Sequence, residues 1–155
     1  APADLAADGE SEWVELENMH WISFLVVLGA IGTSDTLNIY VRSTTSATSG
    51  TTNSDDYALP FNYRLSSAVG NDDWGAITAV TTATGYVTIG DTDDNKLLLI
   101  DVDPDIIYAH DSDAKYLYLD FDVTDASSTD TSFILGAVGI FEPRYPQNEQ
   151  LSSTA

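Results

Sequence analysis

The side chains in this sequence that could do chemistry are almost all carboxylates, and two groups of them have ligand-like spacing. Asp91-Thr92-Asp93-Asp94-Asn95 puts oxygen donors on Asp91, Asp93 and Asn95, at positions 1, 3 and 5 of a loop. An EF-hand calcium loop begins this way. Here, though, the glycine needed at position 6 is Lys96 and the glutamate needed at position 12 is Val102, so the loop is not an EF-hand. Asp101, Asp103 and Asp105 repeat the spacing, with Asp111 and Asp113 close behind. Calcium takes about 6–8 oxygens, and loops of this composition can supply them, so calcium or magnesium is the one cofactor to consider. The competing reading is that Asp serves turn formation, because its carboxylate hydrogen-bonds backbone two residues on.

No other constellation points to catalysis. The Gly-x-Ser-x-Gly elbow of a hydrolase is absent. His20 precedes a strand and His110 adjoins Asp111, whereas a triad needs three groups that meet in space. With 25 acids in the chain, pairs such as Asp120 and Asp122 arise by abundance, and nothing places one of them in the apolar pocket that acid catalysis requires. Gly29-Ala-Ile-Gly32 and Gly136-Ala-Val-Gly139 fall in or beside strands, where glycine marks bulges or close packing rather than phosphate cradles. The absence of Cys excludes disulfides, thiol catalysis and iron–sulfur ligation. The expectation is a protein that is not an enzyme.

The charge balance narrows the partners. There are 25 acidic residues, 19 of them Asp, against 5 basic ones, for a net charge of -20. Non-specific nucleic-acid binding needs Lys and Arg to displace phosphate counterions, and anionic membranes repel such a chain. An acidic coat with almost no Lys suits molar salt, where the screening length shrinks to about 3 Å. The same coat also suits a basic partner. The apolar run Trp21–Ile31 is too short for a spanning helix, which needs about 20 residues. The start, Ala1-Pro2-Ala3-Asp4, lacks the basic and apolar regions of a signal peptide. A soluble product that does not leave by the secretory route is expected.

The 155 residues are enough for one domain, and 43% are apolar. Residues 1–11 read as a flexible arm, 12–146 as the domain and 147–155 as a polar tail. Trp13 to Leu16 reads as a short edge strand. His20–Ile31 is apolar on both alternating faces, as in a central strand, and Thr36–Arg42 alternates cleanly; together they predict a hairpin. Further strands are predicted at Phe61–Leu65, Ile77–Thr82, Tyr86–Ile89 and Leu97–Val102, with a brief extended piece at Ile106–Tyr108. Over Lys115–Thr124, Leu117, Leu119, Phe121 and Val123 face one way; Tyr116, Tyr118, Asp120 and Asp122 face the other. Tyr116 and Tyr118 could stack on sugar rings or anchor an interface. Phe133–Phe141 reads as a second central strand. About eight short strands with no convincing helical period predict an all-β protein, an antiparallel, jelly-roll-like β-sandwich.

Two stretches carry a family resemblance. The first is Val14 to Arg42, with Ile22-Ser-Phe-Leu-Val-Val-Leu-Gly-Ala-Ile31 followed by Leu37-Asn-Ile-Tyr-Val-Arg-Ser43. The second is Ala114 to Val123, then Phe133-Ile-Leu-Gly-Ala-Val-Gly-Ile-Phe-Glu-Pro-Arg-Tyr-Pro146. Together they cover about 60 residues. They resemble the head decoration, or cement, proteins of tailed viruses with HK97-like capsids. The resemblance implies a homotrimeric structural protein on the virion surface that bridges major capsid protein subunits. It is made in the host cytoplasm, and its acidity suits a salt-loving host. The polar ends would touch neighbours through Pro2, Leu5, Pro143, Arg144, Tyr145 and Pro146. The alternative is a carbohydrate- or receptor-binding sandwich module on a virion surface.

Overall fold

Strands that bury alternate side chains can share one core if they stack as two sheets, and this chain does so. The computed structural model describes residues 3–5, 9–17, 19–31, 36–46, 57–69, 73–81, 83–124 and 133–143. In chain order the elements are β1 (Ala3–Leu5), β2 (Gly9–Glu10), β3 (Val14–Glu15), β4 (Met19–Ile31), β5 (Thr36–Thr44), β6 (Tyr57–Ala58) and β7 (Phe61–Leu65). There follow β8 (Thr78–Val80), β9 (Tyr86–Gly90), β10 (Leu97–Val102), α1 (Pro104–His110), β11 (Tyr116–Thr124) and β12 (Phe133–Pro143). The first sheet runs β1-β12-β4-β10-β7-β8. The second runs β2-β11-β5-β6, with β3 also beside β11 and β9 also beside β5. Neighbouring strands are antiparallel, for example β4 with β12 and β5 with β11. The all-β sandwich expected from the sequence is the observed fold.

The core lies between the sheets. Ile22, Phe24, Val26 and Leu28 of β4 and Leu98, Ile100 and Val102 of β10 meet Leu37, Ile39 and Val41 of β5 and Leu117, Leu119 and Phe121 of β11. The inward set of β11 is therefore the one the alternation picks out. Gly139 of β12 stands opposite Phe24. A Cβ at Gly139 would lie 2.7 Å from Cε1 of Phe141, so the missing side chain makes room for that ring.

Three expectations are corrected. β4 and β5 do not form a hairpin. β4 pairs with β12 and β10 in the first sheet, and β5 pairs with β11, β6 and β9 in the second. Each of the two is therefore paired on both of its edges with strands other than its expected hairpin partner. Ile106–Tyr108 is helical, not extended, because Asp103 caps the first turn by accepting from Asp105 N (2.9 Å) and Pro104 starts it with its φ preset. Residues 1–11, read as an arm, contribute strands to both sheets. Ala3–Leu5 pairs with β12, and Gly9–Glu10 pairs with β11, where Ser11 Oγ accepts from Leu119 N at 2.9 Å. Backbone pairing holds these two short strands although neither carries a run of apolar side chains.

Phe121 is 3% exposed in the centre of the second sheet. Phe121→Ala is expected to cost about 3–5 kcal/mol, read as a lower denaturant midpoint; a shift near zero would contradict the inward register.

Candidate functional site

The two ligand-like carboxylate groups do not converge. Asp91 to Asp93 forms a single 3-10 turn between β9 and β10. Within it, Asp93 accepts from Lys96 Nζ (2.9 Å) and from Gly90 N (3.3 Å). Asp94 accepts from Ile31 N (2.7 Å), which ties the turn to the end of β4. Asn95 adopts φ 56, a left-handed conformation that Asn tolerates, and its N–H donates to Gly29 O. Asp101 lies on the outside of β10, Asp103 is the helix cap and Asp105 is exposed in the first helical turn. Among the described residues no group of three or more His, Asp or Glu side chains is placed to hold a metal ion. Turn and cap duties account for Asp93 and Asp103, the role that was the competing reading.

The nearby acid Asp111 is buried where α1 meets the second sheet. It accepts from Ser43 Oγ (2.8 Å) and Asp113 N (3.3 Å), so it joins the helix end to β5. Of the proposed contact residues, Pro143 is exposed at the end of β12 opposite Met19, and Leu5 ends β1 opposite Phe133. Pro2, Arg144, Tyr145 and Pro146 lie outside the described residues.

The outer face of the second sheet is polar and aromatic. Tyr40 stands between Asp120 of β11 and Tyr86 of β9. The Tyr40 and Tyr86 rings are 5.0 Å apart, and the Arg42 guanidinium lies 4.6 Å over the Tyr40 ring while its Nε pairs with Asp120. Burial, and then the negative charge of Asp122, push the Tyr40 phenol above its ordinary value; Arg42 opposes them. Tyr118, expected to be an open ring, is only 2% exposed, and Trp13 packs edge-on against it at 6.4 Å.

The outer face of the first sheet is different. Cross-strand register sets its side chains in rows: Ile140–Ser23–Asp101–Asn62, then Val138–Leu25–Leu99–Arg64, then Gly136–Val27–Leu97. Val138 is 57% exposed, Ile140 55% and Val27 41%, while Leu25, Leu97 and Leu99 are half-buried beside them. Together these side chains form an apolar surface on the outer face of the sheet. A polar chain bounds it: Trp21 Nε1 donates to Ser23 Oγ (2.8 Å), Ser23 Oγ donates to Asp101 (2.6 Å), and Arg64 lies 3.9 Å from Asp101. Arg64 Nε is buried without a hydrogen-bond partner. The signal for this face is present in the sequence. Leu25, Val27, Val138 and Ile140 form the second apolar set of the two strands that the pattern marks as central.

We take this face as the candidate site, because an apolar sheet face that no described residue covers is a surface of the kind that marks contact sites. Comparison with protein-family models, curated proteins and solved structures found no match.

Two outcomes follow from these side chains. Asp103→Ala removes a helix cap and is expected to cost about 1 kcal/mol. The loss should be the same with calcium as with a chelator, and a loss seen only with calcium would restore the metal reading. Folding favours the neutral form of Tyr40, so its contribution is complete below the unfolded value near pH 10 and is lost as pH rises toward the raised native value. Alkaline unfolding should therefore be less steep in Tyr40→Phe than in the native chain; equal steepness would contradict the raised ionisation.

Proposed function

We propose that this protein is a structural component of a virion that decorates a capsid and stabilises it by bridging major capsid protein subunits. One observation carries the reading furthest. The two stretches that resemble decoration proteins supply the long central strands of both sheets: β4 lies against β12 in one, and β5 against β11 in the other. The stretches lie far apart in sequence, yet they assemble as one framework. The chain also changes sheets between β4 and β5 and again between β11 and β12, a winding in keeping with a jelly roll. The apolar face that the described residues leave open adds a surface suited to contact, and the acidic remainder suits a basic capsid surface or a salt-rich host.

A second reading, a carbohydrate-binding module, draws on Tyr86. Its ring is 38% exposed beside Thr88, whose hydroxyl donates to Asn38 (2.9 Å), so a sugar could stack and hydrogen-bond there.

Quantifying the protein on purified particles separates the two readings. A decoration protein should be present in proportion to the major capsid protein, and stripping it should lower the temperature at which the capsid ruptures. A few copies per particle, with rupture unchanged, would contradict the proposal.

A further inference from the structure

We infer that β12 receives a strand from outside the chain: an extended segment of another protein, with alternating apolar side chains flanked by Lys or Arg, pairs with its free edge over residues 136–142. The inference does not depend on the capsid reading.

The sequence of β12 is that of a strand with a neighbour on each side. Phe133-Ile-Leu-Gly-Ala-Val-Gly-Ile-Phe141 is apolar on both alternating faces. One edge of β12 follows β4 from Phe133–Ile31 to Pro143–Met19. The other edge is paired with β1, whose three residues stand against Phe133, Ile134 and Leu135. Beyond Leu135 no strand among the described residues pairs with that edge.

Exposure changes at the same boundary. Leu135 is buried. Ala137 lies on the same side of the strand and stands opposite the buried Val26, yet it is exposed. Val138 and Ile140 are exposed on the outer side. This half of β12 is therefore open on both faces as well as along one edge. A free edge presents a row of backbone N–H and C=O groups, which an added strand satisfies. The alternate side chains of that strand would lie beside Ala137 on one face and beside Val138 and Ile140 on the other.

Composition and charge identify the donor. The residues outside the described ones hold a single Leu, Leu151, and no Val, Ile, Phe, Met or Trp, so they contain no strand of alternating aliphatic residues. A second copy would bring one net charge of -20 against another. Acids stand at both ends of the open edge: Glu142 is exposed at one, and Asp4 pairs with Ile134 at the other. A segment with Lys or Arg beside its apolar residues is attracted to that frame, and an acidic segment is repelled.

Peptide titration and hydrogen exchange on the full chain test the inference. The probe is a labelled synthetic peptide of alternating Val and Thr with Lys at both ends, its binding read by fluorescence anisotropy. It should bind, more weakly as NaCl rises, and should slow exchange of alternate amides within residues 136–142 while leaving β11 unchanged. The same peptide with every backbone nitrogen methylated has no N–H to donate and should bind at least about tenfold more weakly, as should a Glu-flanked version. The double variant Val138→Thr/Ile140→Thr keeps β-branched residues at exposed positions. It should bind the Lys-flanked peptide about threefold or more weakly. Its melting curve without peptide should match that of the native chain, which separates lost pairing from lost folding. Absence of binding, binding without protection within 136–142, or equal binding of the methylated peptide would overturn the inference. So would protection of the same amides that grows with protein concentration in the absence of peptide, the mark of a second copy on that edge.

Discussion

Every element of this structure depends on a single constraint, the burial of one alternate set of side chains from each of two sheets in a common core. The long ladders β4–β12 and β5–β11 meet that constraint with an almost unbroken register. β5 runs against β11 from Thr36–Thr124 to Thr44–Tyr116 without a bulge. A chain carrying -20 folds against its own repulsion, and the core must outweigh that term. Most of the described acids sit in turns, at helix ends and on outer faces, where water and salt screen them. The buried one, Asp111, is held by Ser43, and Asp120 on the outer face is paired with Arg42.

Much of this was legible in the sequence, because a two-residue period identifies both a strand and its inward face. Leu117, Leu119 and Phe121 are the clearest case: alternation alone names them as core, and they are core. Which strands pair was not legible. β4 and β5 are adjacent in the chain with turn residues between them, the pattern of a hairpin, yet they belong to different sheets. Period-two patterning says which face is buried but not which neighbour supplies the hydrogen bonds. The helix at Pro104–His110 was not legible for another reason: seven residues are too few for a 3.6-residue period to show, and the Asp-Pro pair that starts it also suits a turn.

The carboxylate groups show how composition can imitate a site. With so many Asp residues, ligand-like spacing recurs, while the chemistry of each position is set by its backbone surroundings. Asp93 holds Lys96 and Gly90 N, and Asp103 holds a helix start. The surface that does stand out is the run of exposed apolar side chains on the outer face of the first sheet, Val27, Val138 and Ile140. Apolar residues on both faces of β4 and β12 imply two buried faces, and the described residues cover only one of them. That mismatch is where the sequence pattern and the fold part: it leaves apolar side chains exposed on an acidic protein, the kind of surface on which contacts form.

The central claim is that this face is covered in the native assembly. Hydroxyl-radical footprinting of the assembled and dissociated protein reads it side chain by side chain. The account predicts that Val27, Val138 and Ile140 are protected on assembly while Tyr86, on the opposite sheet, stays reactive. Equal reactivity of the three aliphatic residues in both states would contradict it.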